Sequence, residues 1–201
     1  MVAASGWLKT MGAETSQDHP MEERRTRKRV GVVMKNKKPK DSAITMAILM
    51  LPEDANPAGN VHGGVIMKHI DSAAGVVAVR HSSANVVTAS IDRLDFHSPV
   101  YVGNLLTVKA SINIVGSTSM EIGVRVEAED LMTGKVRHTA SAYLTFVALD
   151  ENHRPKRVPG LMLEGQDEIR RNREARARRA SRLAERTKEK ECQKDLETCS
   201  L

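Results

Sequence analysis

At 201 residues the chain has the length for one domain with its own core plus flanking segments, and such a domain needs no disulfide staples. Its formal charge of +6 is unevenly spread: residues 1–40 hold ten Lys/Arg against four Asp/Glu, residues 41–160 ten against twelve, and residues 161–201 eleven against nine. A mildly acidic middle, in a chain with only two Phe, two Tyr and one Trp, argues against nucleic-acid recognition by the domain, and no apolar run is long enough for membrane insertion.

Residues 1–42 are polar, basic and without sustained period, the composition of a disordered basic N-terminal segment. Met21 and Met34 both precede the first expected strand, so a start assigned too far upstream is the alternative to a functional basic arm. The N-terminus has no secretory apolar region. Cys192 and Cys199 lie near the end of a charged tail without zinc-ligand spacing, so reduced thiols, no metal and a cytoplasmic protein are expected.

Residues 43–51 read as a strand stopped by Pro52, and the Pro, Asp, Asn and Gly that follow through Gly64 read as a shaped loop. Residues 65–81 read as a helix whose apolar positions cover more than one stripe, which predicts burial of most of its surface. Four strand-like runs come next, at 85–96, 104–115, 119–129 and 136–149, with turns supplied by Gly103, Gly116 and Thr133-Gly134. In the third run Met120, Ile122, Val124 and Val126 share one face and Glu121, Arg125 and Glu127 fall near the other, the alternation of a sheet with one covered side. One strand, one buried helix and four long antiparallel strands predict an α+β fold, a sheet wrapped round a central helix. Residues 164–191 have high helix propensity but almost no apolar stripe, and predict a solvated, charged C-terminal helix anchored, if at all, at its start.

The chemistry concentrates between Asn56 and Asp71. His62-Gly63-Gly64 stands at the expected helix start, where free N–H groups and the positive end of the helix dipole can bind a developing oxyanion. The same glycines also suit a turn with a packing requirement. Asp71, amid Ile70, Ala73 and Ala74, must be paired, hydrogen-bonded or shifted in pKa, and catalysis is one solution beside a structural contact to the backbone, His69 or Lys68. No nucleophile elbow, phosphate loop, zinc-protease motif or dinucleotide fingerprint competes with this segment.

The run Asp54-Ala-Asn56-Pro-Ala-Gly-Asn-Val-His62-Gly63-Gly64, then Ile66-Met-Lys68, Asp71 and Arg80-His81, resembles the acyl-CoA thioesterases of the hotdog fold, in the YciA and brain acyl-CoA hydrolase group. The likeness continues through Val87-Thr-Ala-Ser-Ile-Asp92, Phe96-His-Ser-Pro99, Val102-Gly103, Gly116-Ser-Thr-Ser-Met-Glu121, Thr133-Gly134 and Thr145-Phe-Val-Ala148, covering residues 43–160. It implies a hotdog domain at 43–160 followed by a charged helix and tail at 161–201.

The resemblance also implies an activity, hydrolysis of acyl-CoA to the free acid and CoA with no cofactor, and a set of roles. Asp71 and Asn56 take the positions of the catalytic pair, with Asp71 acting on water as general base or on the thioester as nucleophile. Gly64, with Gly63, takes the oxyanion position. Thr88, Ala89, Ser90, Ser117, Thr118 and Ser119 line the CoA groove, and Arg179 aligns with an arginine that contacts the CoA nucleotide in some relatives. In relatives with tandem domains the catalytic Asn and Asp come from different domains, so a single-domain chain is expected to form a homodimer with two composite sites, and dimers to assemble into a hexamer. Two other readings stand beside hydrolysis: a hotdog module that binds acyl-CoA without cleaving it, and an enoyl- or hydroxyacyl-thioester dehydratase.

Overall fold

The computed structural model describes residues 34–194, so most of the expected basic arm and the end of the tail lie outside the described residues. The elements run α1 (Pro39–Ser42), β1 (Ile44–Leu49), a 3-10 turn at Pro52–Asp54, α2 (Gly63–Ser82), β2 (Asn85–Phe96), β3 (Asn104–Val115), β4 (Ser119–Asp130), β5 (Lys135–Leu149) and α3 (Gln166–Lys194). The strands form one antiparallel sheet in the order β1-β3-β4-β5-β2, curled round α2, which is the expected hotdog architecture.

The alternation seen in the sequence sets the two faces of this sheet. Met120, Ile122, Val124 and Val126 of β4 point inward with Leu106 and Val108 of β3 and Leu144 and Phe146 of β5, onto Ile66, Ile70, Ala73, Ala74, Val77 and Ala78 of α2. Small residues on α2 let the helix approach closely: a Cβ on Gly75 would stand 3.8 Å from the Phe146 ring. The helix ends are satisfied by side chains. Lys37 Nζ donates to the Arg80 and His81 carbonyls, at 2.8 Å each, and to Ser83 Oγ, placing a cation on the negative end of the dipole. Lys37 also pairs with Leu161, so residues just before the expected start of order take part in the fold.

His81 is fully buried under that helix end, its Nε2 3.0 Å from the Pro159 carbonyl, and its Nδ1 has no partner among the described residues. Burial, reinforced by the Lys37 ammonium, holds its imidazole below the ordinary value near 6.5. The unfolded chain therefore binds a proton that the native chain refuses. The contribution of His81 to stability is present above about pH 6.5 and is lost as pH falls below it. Urea midpoints measured from neutral to mildly acidic pH should show that decline, and His81→Gln should flatten it; an unchanged slope would contradict the assignment.

Two expectations need correction. The first concerns α2, which the sequence reads as buried on most of its surface: its outward half exposes Met67, Val76 and Val79, at 40%, 40% and 46% of their surface. The edge strand β2, twelve residues long, also exposes Val87, Ile91 and Phe96. The apolar residues are there as read, but nothing among the described residues covers them.

The second concerns α3, which is not a solvated helix held only at its start. It lies on the outer face of the sheet and is fixed there by a polar stripe. Asn172 Nδ2 donates to the Asn113 carbonyl at 2.7 Å, Ala175 is fully buried, and Arg178 Nη2 donates to Glu121 Oε1 at 2.6 Å with its guanidinium 3.7 Å above the Tyr143 ring. Arg182 reaches Asp92 and Thr145. Positions 172, 175, 178 and 182 recur at three or four residues, one face of a helix. Glu121, expected near the solvent side of β4, is buried beneath this stripe and shared with Asn113.

Candidate active site

The Asn56–Gly64 loop is built around asparagines. Asn56 Oδ1 accepts from the Ala58 N–H at 2.9 Å, its N–H donates to the Asn60 carbonyl at 2.7 Å, and its Nδ2 donates to Asn60 Oδ1 at 2.5 Å. Gly59, at φ +83°, supplies the left-handed residue that closes the turn. The loop is carried into α2 by His62, whose N–H donates to the Asp54 carbonyl at 2.8 Å.

At the helix start the sequence expectation needs one addition. The Gly64 N–H, an oxyanion candidate, donates to Nδ1 of His62, the N-cap residue, at 3.0 Å. The Gly63 N–H has no partner among the described residues. Gly63 lies against Phe96, whose ring a Cβ would approach to 3.6 Å, and both border a cavity of about 380 Å³. Asn56, Asn60, Ile66, His97 and Val100 also line it. The lining roles of Asn60 and His97 are not visible in the sequence, because they depend on how the 96–100 segment crosses the helix start.

Asp71 lies elsewhere. It is half-buried on the β2 side of α2, and Thr88 Oγ1 donates to its Oδ1 at 2.8 Å. The family resemblance places Thr88 in the CoA groove with Ala89 and Ser90; in the fold Thr88 turns to the carboxylate while Ser90 Oγ donates to Asp92 at 2.8 Å on the other face. Asp71 does not line the cavity that holds Asn56 and Gly63. Seven residues separate it from Gly64 on the same helix, about 10 Å of rise, too far for one carbonyl to meet both at about 3 Å. The Asn56–Gly64 loop and the Asp71–Thr88 pair therefore stand apart within the chain.

The third group of expected residues comes together. The Gly116–Ser119 turn is closed by the Gly116 N–H donating to the Ser119 carbonyl at 2.7 Å, and the Ser117 and Thr118 carbonyls accept from Val158 and Ala148. Arg179 of α3 lies over this turn: a Cβ on Gly116 would stand 2.7 Å from both guanidinium nitrogens and 2.9 Å from Ser119 Oγ. A side chain at 116 would have to displace the guanidinium end of Arg179. The guanidinium enters no ion pair among the described residues, unlike Arg178 and Arg182 on the same helix.

The family model of the thioesterase superfamily matches residues 58–135. Protein VdlD of Helicobacter pylori is 41% identical over 128 residues, 64% of this chain and 73% of that protein. Among solved structures, an acyl-CoA hydrolase from Staphylococcus aureus in complex with butyryl coenzyme A, coenzyme A and coenzyme A disulfide matches with TM-score 0.73 and 34% identity, over 81% of this chain and 99% of that one. An apo hexameric acyl-CoA thioesterase matches with TM-score 0.73 and 36% identity, over 76% and 97%. The chain belongs to the hotdog-fold acyl-CoA thioesterase family, in the YciA/acyl-CoA hydrolase group.

Proposed function

We propose that the chain hydrolyses acyl-CoA thioesters to the free acid and coenzyme A, at composite sites that join the Asn56–Gly64 half of one protomer to the Asp71–Thr88 half of another. The observation that carries this reading is the separation of the two halves: an acid with its hydrogen-bonded hydroxyl on one side, amide and N–H donors on the other, and too much helix between them to serve one substrate.

The exposed surface supports the second protomer. β2 is a long edge strand with exposed apolar residues, and α2 exposes Met67, Val76 and Val79, surface that a monomer rarely leaves to water. Pairing two β2 edges about a two-fold axis would continue the sheet, and an isologous contact creates two equivalent sites. The hexamer of the apo relative is the higher assembly we extend to this chain. Among the described residues no helix is long and apolar enough to cross a membrane. We place the protein in the cytoplasm, where acyl-CoA is soluble.

At the site the thioester oxygen accepts from the Gly63 and Gly64 N–H groups, taking the place of His62 Nδ1 on the latter, and Asn56 orients the carbonyl or water through its amide. Thr88 occupies Oδ1 of Asp71, which leaves Oδ2 to take a proton from water as it adds to the carbonyl. Collapse of the tetrahedral intermediate expels the CoA thiolate. In the other route the carboxylate attacks the carbonyl and expels the CoA thiolate, and water then cleaves the mixed anhydride to the free acid and Asp71, with the same donors. The CoA nucleotide lies along the Gly116–Ser119 turn with its phosphates on Arg179.

Thiol release from a panel of acyl-CoAs, run beside an enoyl-CoA hydration assay, tests the activity: release without hydration is expected, and hydration or binding without release would overturn it. Arg179→Ala should raise KM for CoA thioesters roughly three- to tenfold, the size of one charge-assisted hydrogen bond at a solvated site, with kcat nearly unchanged. An unaltered KM would remove Arg179 from the nucleotide site.

A further inference from the structure

β2 contains two more residues than the length of β5 that it pairs with. Thr88 stands opposite Phe146 and Phe96 opposite Ala140, so eight steps along β2 meet six along β5. The register shifts fall between Thr88 and Ser90 and between Ile91 and Arg93, which makes Ala89 and Asp92 the extra residues. Their effect is on direction. Thr88, opposite buried Phe146, faces α2 and Asp71; Ser90 and Arg93, opposite Thr145 and Tyr143, face α3.

Asp92 marks what holds the second bulge. On an unbroken strand it would share the inward face of Leu94 and put a carboxylate beside Ala142 and Leu144, an expensive burial. Instead it turns to the α3 face, where it accepts from Ser90 Oγ at 2.8 Å, from Thr145 Oγ1 at 3.3 Å and from Arg182 Nη1. Arg182 also donates to Thr145 Oγ1 at 2.7 Å. Both charged side chains are largely shielded, Asp92 at 12% and Arg182 at 18% exposure.

We propose that Arg182 is a positioning residue for the Thr88–Asp71 pair: by holding Asp92 out on the α3 face it fixes the bulged register of β2 that aims Thr88 at Asp71. The proposal rests on the catalytic reading of Asp71 given above. If one bulge is lost while the Phe96 end stays paired, Thr88 slides by one residue, about 3.4 Å, and changes face; if both are lost it slides about 7 Å on the same face. Either way its hydroxyl leaves the carboxylate. A helix on the outer face of the sheet thereby acts on a site on the inner face.

The test compares kcat and KM for Thr88→Val, Arg182→Gln, Asp92→Asn and the Thr88→Val/Arg182→Gln double variant, each first shown to be folded and assembled. Thr88→Val and Arg182→Gln should each lower kcat about ten- to a hundredfold, the range for a hydrogen bond to a charged group, with KM changed less than about twofold. The double variant should be no slower than the slower single one, because Arg182 acts through Thr88. If Arg182→Gln does not fold, Asp92→Asn breaks the pair from the other side, and the same kcat loss is expected of it. Wild-type kcat in folded Arg182→Gln or Asp92→Asn, or losses that multiply in the double variant, would overturn the positioning role alone. Wild-type kcat in Thr88→Val would instead overturn the catalytic reading of Thr88 and remove the positioning role with it.

Discussion

Asp71→Asn is expected to lower kcat by at least about 10²-fold while leaving the fold and the assembly intact. The replacement is isosteric, and its amide oxygen still accepts from Thr88 Oγ1, so the contact between α2 and β2 survives. What disappears is the basic and nucleophilic oxygen, and both chemical routes through Asp71 need it. A loss of that size corresponds to about 2.7 kcal/mol of transition-state stabilisation, the range of a positioned acid or base. KM should change little, because the site proposed for the CoA nucleotide, the Gly116–Ser119 turn under Arg179, makes no contact with Asp71. Steady-state kinetics on a folded variant decide the matter, and near-normal turnover would take catalysis away from Asp71.

Most of the fold is legible in the sequence because its elements obey strong local periods. The strand read at 104–115 is found at Asn104–Val115, and the helix read at 65–81 at Gly63–Ser82; the difference at its start is a cap, where propensity is least informative. The loop is also legible in kind, since Asn56, Pro57 and Gly59 are turn-forming residues. The capture of the Asn56 amide by Asn60 and of the Gly64 N–H by His62 is not, because those choices depend on loop geometry rather than residue type.

Two features escape local reading for clear physical reasons. The contact face of α3 has the helical period, but it is written in Asn172, Arg178 and Arg182 instead of apolar residues, and a search for an apolar stripe passes over it. Its partners, Glu121 and Asp92, are far away in sequence, so nothing nearby identifies the two arginines as paired. The direction of Thr88 is hidden in another way. Thr88, Ser90 and Asp92 alternate in the sequence as though they shared one face, and only the pairing of β2 with β5 reveals the bulges that send them to opposite sides. Exposed Met67, Val76 and Val79 on a helix read as buried are equally beyond local reading, since apolar residues carry no sign of whether the described fold covers them.

Recovery of activity by mixing two inactive variants tests the shared site most directly. Asn56→Ala and Asp71→Asn each disable both sites of a homodimer, but a mixed dimer has one site with both substitutions and one with neither. Random exchange makes about half of all dimers mixed, each with one intact site of two, so co-refolded subunits should reach roughly one quarter of wild-type activity. The parents must be inactive alone, and exchange must be verified with differently tagged subunits. Recovery near one quarter is the predicted result; verified mixed dimers that remain as inactive as their parents would place Asn56 and Asp71 within one chain and contradict the composite site.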